Sequence, residues 1–184
     1  MEMETLKELY VDELKDLYSA ENQILKALPK MIKKATHPQL KKAFAAHERQ
    51  TQQHVKRLER ICKSLGESPK GKKCKGMEGV IQDGAELMQE DAADDVMDAG
   101  LITAAQHVEH YEMAGYGTVR TWARELGLED HANLLQQTLD EERNTDELLT
   151  EIAVSAINLE AVDGDNGEGE GGGGKSSRLR NKKR

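Results

Sequence analysis

Two carboxylates lie one helical turn apart in the middle of an apolar stripe. Glu109 and Glu112 belong to the segment AAQHVEHYEMAGYGTV, residues 104–119, and share a helical face with Ala105 and Tyr116. An ionised carboxylate that is taken out of water is strongly destabilising unless a cation, a proton or hydrogen-bond donors compensate it. The pair is therefore either a set of surface residues or one wall of a metal site.

Three other stretches interrupt their apolar stripes in the same way. Each helical pattern carries its polar residues near its middle, and mid-helix positions share one level in a bundle of antiparallel helices. We expect these interruptions to converge on one buried polar layer, which also includes Thr51 and is lined by Tyr116. The candidate metal ligands in this layer are Glu21, His47, Gln50, His54, Glu109, Glu112 and Glu142.

The composition of this layer favours a pair of iron or manganese ions. Four carboxylates cannot share a dry layer as anions without cations or protons. Oxygen-rich ligation with a few imidazoles suits iron or manganese, whereas a structural zinc site prefers thiolates. Two iron ions bridged by carboxylates, with manganese as the alternative, would balance the charge. The chemistry that this favours is oxidation of Fe(II), or disposal of peroxide, with O2 or peroxide as the oxidant.

The alternative interpretation is that these polar residues are structural and bind no metal. A single glutamate on such a stripe is often an edge residue whose carboxylate reaches water. Histidines such as His47 and His54 are individually more often hydrogen-bonded core residues than ligands. Polar interruptions at one level in four separate helices are a much less frequent coincidence, so the metal site is the favoured interpretation.

Four long helices must position this layer. Thr36 and Gln39 resemble a capping box at the start of the second helix, and Gly66 and Gly127 are suited to end the second and third. Pro29 predicts a kink or an early last turn in the first helix. The predicted long helices span 4–35, 36–65, 91–126 and 129–159, and a short helix spans 77–89.

The connections determine the predicted topology. The first and second helices, and likewise the third and fourth, are joined by only a few residues, so each pair forms an antiparallel hairpin. Roughly 25 residues separate the second helix from the third, enough to return along the length of a bundle. The predicted fold is all-α: a ferritin-like antiparallel four-helix bundle with a long crossover between helices 2 and 3 that contains the short helix.

Composition limits the remaining functions. The formal net charge of -8 argues against nucleic-acid binding by the body of the protein, and no apolar run approaches the ~20 residues of a membrane span. We therefore predict a cytoplasmic protein with no membrane contact, in which Cys62 and Cys74 are reduced thiols. Residues 1–160 form the predicted bundle, and residues 161–184 form a disordered Gly-rich acidic linker and basic tail. Weak DNA contact is the alternative role for the basic residues of this tail, Lys175, Arg178, Arg180, Lys182, Lys183 and Arg184.

A second apolar stripe runs along the third helix, beyond what one core needs. Exposed apolar stripes of this kind mark contacts between protein chains, so the stripe predicts a homodimer interface. Its residues are Leu101, Ala104, Val108, Tyr111, Gly115 and Trp122.

Three segments carry a resemblance to a known family. DELKDLYSAENQILKALPKM (12–31), AAQHVEHYEMAGYGTVRTWAREL (104–126) and LLQQTLDEERNTDELL (134–149) resemble the YciE/YciF family of ferritin-like bacterial stress proteins. The resemblance covers residues 4–158, and its most specific part is EHYE-x-AGYG, residues 109–117. It implies a rubrerythrin-like four-helix bundle that is usually dimeric and carries a ferroxidase-type di-iron centre.

The ligand pattern departs from the general one for such centres, which is Glu, Glu-x-x-His, Glu and Glu-x-x-His on successive helices. Glu21 fits the first place, and Glu109 with Glu112 fits the third in a doubled form. Gln50 stands where the resemblance implies a glutamate, with His54 four residues later, and Thr145 stands where it implies a histidine. Two functions remain: a di-metal protein for Fe(II) oxidation or peroxide disposal under stress, or a non-catalytic dimeric scaffold with a degenerate site.

Overall fold

The computed structural model describes residues 3–166, with side chains described as far as residue 162, and the regular structure in this range is entirely helical. The helices are α1 (Leu6–Lys34), α2 (Pro38–Ser64), α3 (Lys75–Leu87), α4 (Asp94–Glu125), α5 (Glu129–Ile152) and α6 (Asn158–Asn166), with a π-helical turn at Ala153–Ile157. The four long helices, the crossover and its short helix confirm the predicted fold. None of the described helices is both long enough and apolar enough to cross a membrane.

The helix ends differ from prediction at one important place. The predicted capping box at Thr36 is wrong, because α2 begins after His37, whose side chain makes no cap hydrogen bond. Instead the buried Asp98 of α4 accepts hydrogen bonds from the backbone N–H groups of Thr36 (2.9 Å) and His37 (2.7 Å) and from the Thr36 hydroxyl. A carboxylate from another helix thus caps α2, which favours its N-terminal dipole and fixes α2 against α4.

Gly66 and Gly127 follow α2 and α4 as predicted, and the early last turn predicted at Pro29 does not occur. Thr5 and Glu8 form a capping box at the start of α1, and Pro29 lies inside α1, which continues for five residues after it. Gly66 and Gly127 have φ values of +73° and +71° directly after α2 and α4, where a residue with a Cβ is disfavoured. Gly127 allows the short turn between α4 and α5, whereas Gly66 ends α2 before the longer connection to α3.

Side-chain contacts show that the two helices of each hairpin are antiparallel. In the α1–α2 hairpin, Lys15 contacts Glu67 and Tyr18 contacts Glu59. In the α4–α5 hairpin, Gln106 reaches Thr150, and Arg120 reaches Gln136. The contacts of Thr36 and His37 with Asp98 place the start of α2 beside the start of α4, so the crossover returns the chain along the bundle and α2 and α4 run in the same direction.

Two apolar clusters fill the bundle, one on each side of its midpoint. One is built around Phe44, Leu101 and Leu149, and the other around Tyr10, Leu58 and Leu135. Along every long helix the residues of one cluster give way to those of the other at the predicted polar layer. This arrangement confirms that the mid-helix interruptions lie at one level.

The second apolar stripe of α4 has an internal partner. Helix α3 packs on it so closely that a Cβ at Gly76 would overlap the Tyr111 ring, and one at Gly84 would lie 3.2 Å from Ala104. Gly115 makes a similar approach to Leu17 of α1. The part of this stripe from Ala104 to Gly115 is therefore covered within one chain by the crossover helix and α1 and is not a free dimer interface, and the homodimer remains a prediction without that support.

The last helix runs further than composition suggests. After Ile152 the π-helical turn continues directly into α6, which reaches Asn166, past the boundary that we predict at residue 160. The basic run from Lys175 to Arg184 lies outside the described residues. Cys62 and Cys74 are both buried free thiols, as predicted.

Candidate metal centre

Six of the seven predicted ligands meet in the polar layer, and all six are almost fully buried. They fall into two groups whose ligand atoms lie within 4.8 Å of one another. The Glu21 cluster consists of Glu21, His54 and Glu142, and the Glu109 cluster consists of His47, Glu109, Glu112 and Glu142. Glu142 belongs to both, which is the arrangement required of a carboxylate that bridges two cations.

The histidine of the Glu21 cluster points its Nδ1 atom into the layer. His54 Nδ1 lies 2.9 Å from Glu142 Oε1 and 3.3 Å from Glu21 Oε1. Its other nitrogen, Nε2, lies 2.8 Å from Glu141 Oε2. A histidine that ligates a metal is commonly held by a carboxylate at its second nitrogen in this way. The ring is therefore oriented to offer Nδ1 as a ligand atom.

Glu141 and Arg57 support this histidine, and the sequence analysis missed both. Arg57 donates two hydrogen bonds to the Glu141 carboxylate, at 2.6 and 2.8 Å. Burial raises the pKa of Glu141, but the hydrogen bonds from His54 and Arg57 outweigh it and bring the pKa down to about 2. The available signal was spacing: Arg57 follows His54 by three residues, on the same helical face, and Glu141 precedes Glu142.

Tyr116 lies against the Glu21 cluster, as the stripe on α4 predicts. Its hydroxyl donates a hydrogen bond to Glu21 Oε1, and its side chain is fully buried. Burial, together with the neighbouring Glu21 and Glu112 carboxylates, raises the pKa of Tyr116 well above its ordinary value. The phenol therefore keeps its proton and acts as a hydrogen-bond donor that orients Glu21.

The Glu109 cluster lacks such support. His47 Nε2 lies 3.2 Å from Glu109 Oε1, and neither ring nitrogen of His47 has a hydrogen-bond partner among the described residues. The same holds for Glu109 Oε2 and for both oxygens of Glu112. Buried polar atoms are nearly always paired, so a group of unpaired acceptors that face one another calls for a cation, a proton or water.

The acidic groups of the layer divide into protonated and ionised members. Burial, followed by repulsion from neighbouring carboxylates, raises the pKa of Glu109 and of Glu112 well above the ordinary value. Burial also acts to raise the pKa of Glu142, but its interactions with Glu109 and His54 outweigh that effect and lower it. Without a metal, therefore, protons on Glu109 and Glu112 and an ionised Glu142 limit the repulsion in the layer.

The two histidines differ in the same manner. Burial lowers the pKa of His54, but the charge of Glu21 and the hydrogen bond to Glu141 outweigh it and raise the pKa to about 11. Burial is the largest effect on His47 and lowers its pKa, so this imidazole is neutral and has a free lone pair. A proton on His54 thus occupies the position at which the Glu21 cluster would hold a cation.

Gln50 and Thr145, the two departures from the general pattern, lie next to each other. The Thr145 hydroxyl donates to the Glu141 backbone carbonyl at 3.0 Å and makes a longer contact of 3.5 Å with Gln50 Oε1. Gln50 is half-buried, and its side chain is close enough to His47 to act to raise the pKa of that imidazole, although burial lowers it more. The histidine absent from position 145 has a counterpart in His47, which supplies the imidazole of the Glu109 cluster from α2.

The donor set could hold divalent first-row cations. It offers four carboxylates and two imidazoles, of which the carboxylates carry enough negative charge to balance two such ions. The direct observation for this fit is a group of buried ligand atoms, in both clusters, without hydrogen-bond partners among the described residues: Glu21 Oε2, His54 Nδ1, both nitrogens of His47, Glu109 Oε2, and both oxygens of Glu112 and of Glu142. Fold and layer together define a class: a ferritin-like four-helix bundle with a buried carboxylate–histidine cluster at its centre.

Comparison with known proteins places the chain within this class. A family model described as a domain of unknown function, DUF892, matches residues 5–162, so the chain belongs to the DUF892 family. Protein YciF of Escherichia coli K12 is 42% identical over 120 residues, which cover 65% of this chain and 72% of YciF. These findings confirm the resemblance to YciF that the sequence motifs indicate.

Solved structures give the same result. The crystal structure of the E. coli stress protein YciF is 39% identical, has a TM-score of 0.82, and the match covers 85% of this chain and 99% of YciF. The structure of YcfI from Rhodopseudomonas palustris is 40% identical with a TM-score of 0.79, and the match covers 81% of this chain and 95% of YcfI. The fold is therefore that of the YciF proteins.

Proposed function

We propose that this protein binds two Fe(II) ions in the polar layer and oxidises them, with peroxide or O2 as the electron acceptor. The observation that carries the proposal is Glu142, which belongs to two ligand clusters at once and so joins two cation positions. Oxygen-rich ligands with one imidazole for each position suit iron, with manganese as the alternative. The description of YciF as a stress protein supports a role in stress defence.

Each side chain has a defined part in this function. Glu21, His54 and Glu142 would hold one ion, and His47, Glu109 and Glu112 would hold the other together with Glu142. Arg57 and Glu141 fix the His54 ring, while Tyr116 orients Glu21. As ions enter, His54, Glu109 and Glu112 give up their protons, since a ligand atom must be free of its proton.

The electron balance of the reaction involves only Fe(II), peroxide and protons. Two Fe(II) ions supply two electrons, the O–O bond of hydrogen peroxide breaks, and two protons complete two water molecules. The three side chains that release protons on loading, His54, Glu109 and Glu112, lie in the same buried layer. Because these side chains are then ligands without their protons, the two protons that complete the water molecules come from solvent.

Rapid-mixing kinetics test the proposed function. Protein loaded anaerobically with two Fe(II) per chain is mixed with hydrogen peroxide or O2, and Fe(III) formation is followed by absorbance. We expect oxidation much faster than that of Fe(II) in buffer, and loss of this acceleration in Glu142→Gln. A wild-type rate equal to that of buffer would contradict the proposal.

A second candidate is a helical scaffold with a degenerate site, as a homodimer or in association with DNA through its tail. The specific observation for it is Gln50, a neutral amide where the general pattern has a carboxylate. Metal analysis separates the two functions, because a scaffold needs no metal. Comparison of DNA binding by the full chain and by a chain shortened to residue 166 tests the tail, with loss of salt-sensitive binding as the expected result.

A further inference from the structure

An apolar cavity reaches the Glu109 cluster from the side of the crossover helix. It has a volume of about 110 Å³ and lies between α1, α3 and α4. Its walls are mostly aliphatic and include Ile24, Leu28, Val80, Ile81, Met88 and Ala105. The charged residues at its edge, Lys26 and Lys30, are exposed to solvent. The cavity is therefore an apolar passage from the surface to the centre of the bundle.

The inner end of this cavity is formed by two proposed ligands. His47 and Glu109 both line the cavity, and both residues are almost fully buried. Neither ring nitrogen of His47, nor Glu109 Oε2, has a hydrogen-bond partner among the described residues. A molecule in the cavity thus meets unpaired polar atoms at its inner end and hydrocarbon along its length.

The volume and the aliphatic lining of the cavity indicate which class of oxidant it can bind. A cavity of about 150 Å³ lined by aliphatic side chains can hold benzene or xenon, so about 110 Å³ is more than O2 or hydrogen peroxide needs and suits a small alkyl group. Hydrogen peroxide would also lose its hydrogen bonds to water along the aliphatic walls. An alkyl hydroperoxide combines the two requirements, with an apolar body and one polar end.

We propose that the cavity binds small alkyl hydroperoxides and directs their O–O group to the His47 and Glu109 end of the metal centre. The inference rests on the proposed function and specifies its oxidant. The O–O bond of the hydroperoxide breaks, two Fe(II) ions supply two electrons, and two protons complete one alcohol and one water. The alkyl group stays in the cavity while the peroxide end reacts.

Xenon binding tests the cavity in the metal-free protein, independently of any activity. We expect saturable binding, measured by the 129Xe chemical shift, that is lost in Ala27→Phe, because the half-buried Ala27 lines the cavity and phenylalanine would fill it. Ala46→Phe is the matched control, since Ala46 is a half-buried alanine that lines a different pocket, between α2 and α5. Xenon binding that survives in Ala27→Phe, or that is absent in the wild type, overturns the inference.

The rate ratio for two peroxides tests the substrate class. We expect Fe(II)-loaded wild type to use tert-butyl hydroperoxide in preference to hydrogen peroxide, and Ala27→Phe to lower this ratio about tenfold, the effect of blocking an apolar subsite. Ala46→Phe should leave the ratio unchanged. Met88→Ala, which enlarges the cavity and removes only a half-buried side chain, should extend the preference to the larger cumene hydroperoxide.

The outcomes separate this inference from the function on which it rests. Rapid oxidation by hydrogen peroxide, with no preference for tert-butyl hydroperoxide and equal ratios in Ala27→Phe and Ala46→Phe, overturns the inference and leaves the proposed function intact. No oxidation by any peroxide overturns both. If Ala27→Phe does not fold, the widened preference of Met88→Ala decides, and its absence overturns the inference.

Discussion

The Glu21 cluster and the Glu109 cluster share one carboxylate but differ in how they are supported. In the first, Arg57 and Glu141 hold His54, and Tyr116 holds Glu21. In the second, both oxygens of Glu112 and both nitrogens of His47 lack hydrogen-bond partners within the described part of the chain, whereas Glu21 and His54 each have one partnered atom and one unpartnered atom, Oε2 and Nδ1 respectively. His47 and Glu109 of the Glu109 cluster also line the apolar cavity, whereas Glu21, His54 and the shared Glu142 are not among its lining residues.

This difference assigns a separate role to each half of the centre. Ligands that are held in place before the ion arrives lose little freedom on binding, so the Glu21 cluster should bind its ion more tightly. Unsupported ligands can rearrange around an ion and a small reactant. We therefore expect the Glu21 cluster to retain metal and the Glu109 cluster to be the half at which the oxidant approaches.

The largest effect should come from the residue that the two clusters share. Glu142→Gln keeps the shape of the side chain but removes its charge from both cation positions. We expect metal affinity to fall by at least about 100-fold at both positions, since loss of a ligand should exceed the effect of losing a supporting residue. Isothermal titration with Fe(II) under anaerobic conditions measures it. Retention of one tight ion would show that Glu142 does not join the clusters.

Single-cluster variants should separate the two positions. Glu21→Gln should remove the tighter of the two ions, and Glu109→Gln the weaker, with about one ion retained in each case. The same titration reports both the number of ions and their affinities. Equal loss of both ions in either variant would contradict the assignment of separate clusters.

Glu141→Gln tests the support of His54. Without the carboxylate, the His54 ring loses its charged partner at Nε2, and the affinity of the Glu21 cluster should fall 10–100-fold, as is usual for residues that hold a metal-bound histidine. The affinity of the Glu109 cluster should change much less. Glu147→Gln is a suitable control, because Glu147 lies on the same helix and is outside both clusters.

Metal-free protein should become less stable as pH rises above neutrality. The pKa of His54 is raised from 6.5 to about 11, so its stabilising contribution is complete below pH 6.5 and declines as pH approaches 11. The raised pKa values of Glu109 and Glu112 act in the same direction, because the folded chain again holds protons that the unfolded chain releases. The lowered pKa values of Glu141 and Glu142 affect stability only in acid.

Thermal melts check this dependence. Between pH 6.5 and 9 we expect the Tm of metal-free protein to fall by on the order of 5 °C. Glu112→Gln should melt higher and depend less on pH, since it replaces a buried acid whose oxygens lack partners among the described residues. A Tm that rises with pH over this window would contradict the protonation states assigned to the layer.

The smallest effect should follow from Gln50→Glu. The half-buried Gln50 lies beside the layer and contacts Thr145, so a carboxylate there adds charge near the centre without joining either cluster. We expect a gain of a few-fold in Fe(II) affinity, comparable to one partly screened charge interaction. Unchanged affinity would mean that position 50 is too remote to influence the ions.

Sequence was sufficient for the fold and for the composition of the layer because both depend on periodicity along single helices. Interruptions such as Glu21 and Glu142 are visible as polar residues on an apolar stripe, and antiparallel packing brings them to one level. The length of the crossover likewise predicted that the chain returns along the bundle before the third long helix begins. Each of these inferences requires only the geometry of a helix and the length of a connection.

Contacts between helices could not be predicted in this way. The support of His54 by Glu141, and the capping of α2 by Asp98, join residues more than 60 positions apart and depend on how two helices rotate about their axes. The same limitation explains why the sequence pattern indicated a dimer interface on the covered part of the α4 stripe. A weak, glycine-containing helix in the crossover gave no sign that it would pack on Ala104 and Tyr111.

The central claim is that one chain binds two cations through a shared carboxylate. Anaerobic titration of metal-free wild-type protein with Fe(II), with protons released and Tm recorded together, tests it most directly. We expect two ions per chain, net proton release on loading and a higher Tm, because ions that bind only the folded chain stabilise it. If excess Fe(II) gives no bound iron, no proton release and no gain in Tm, the two-cation centre is contradicted.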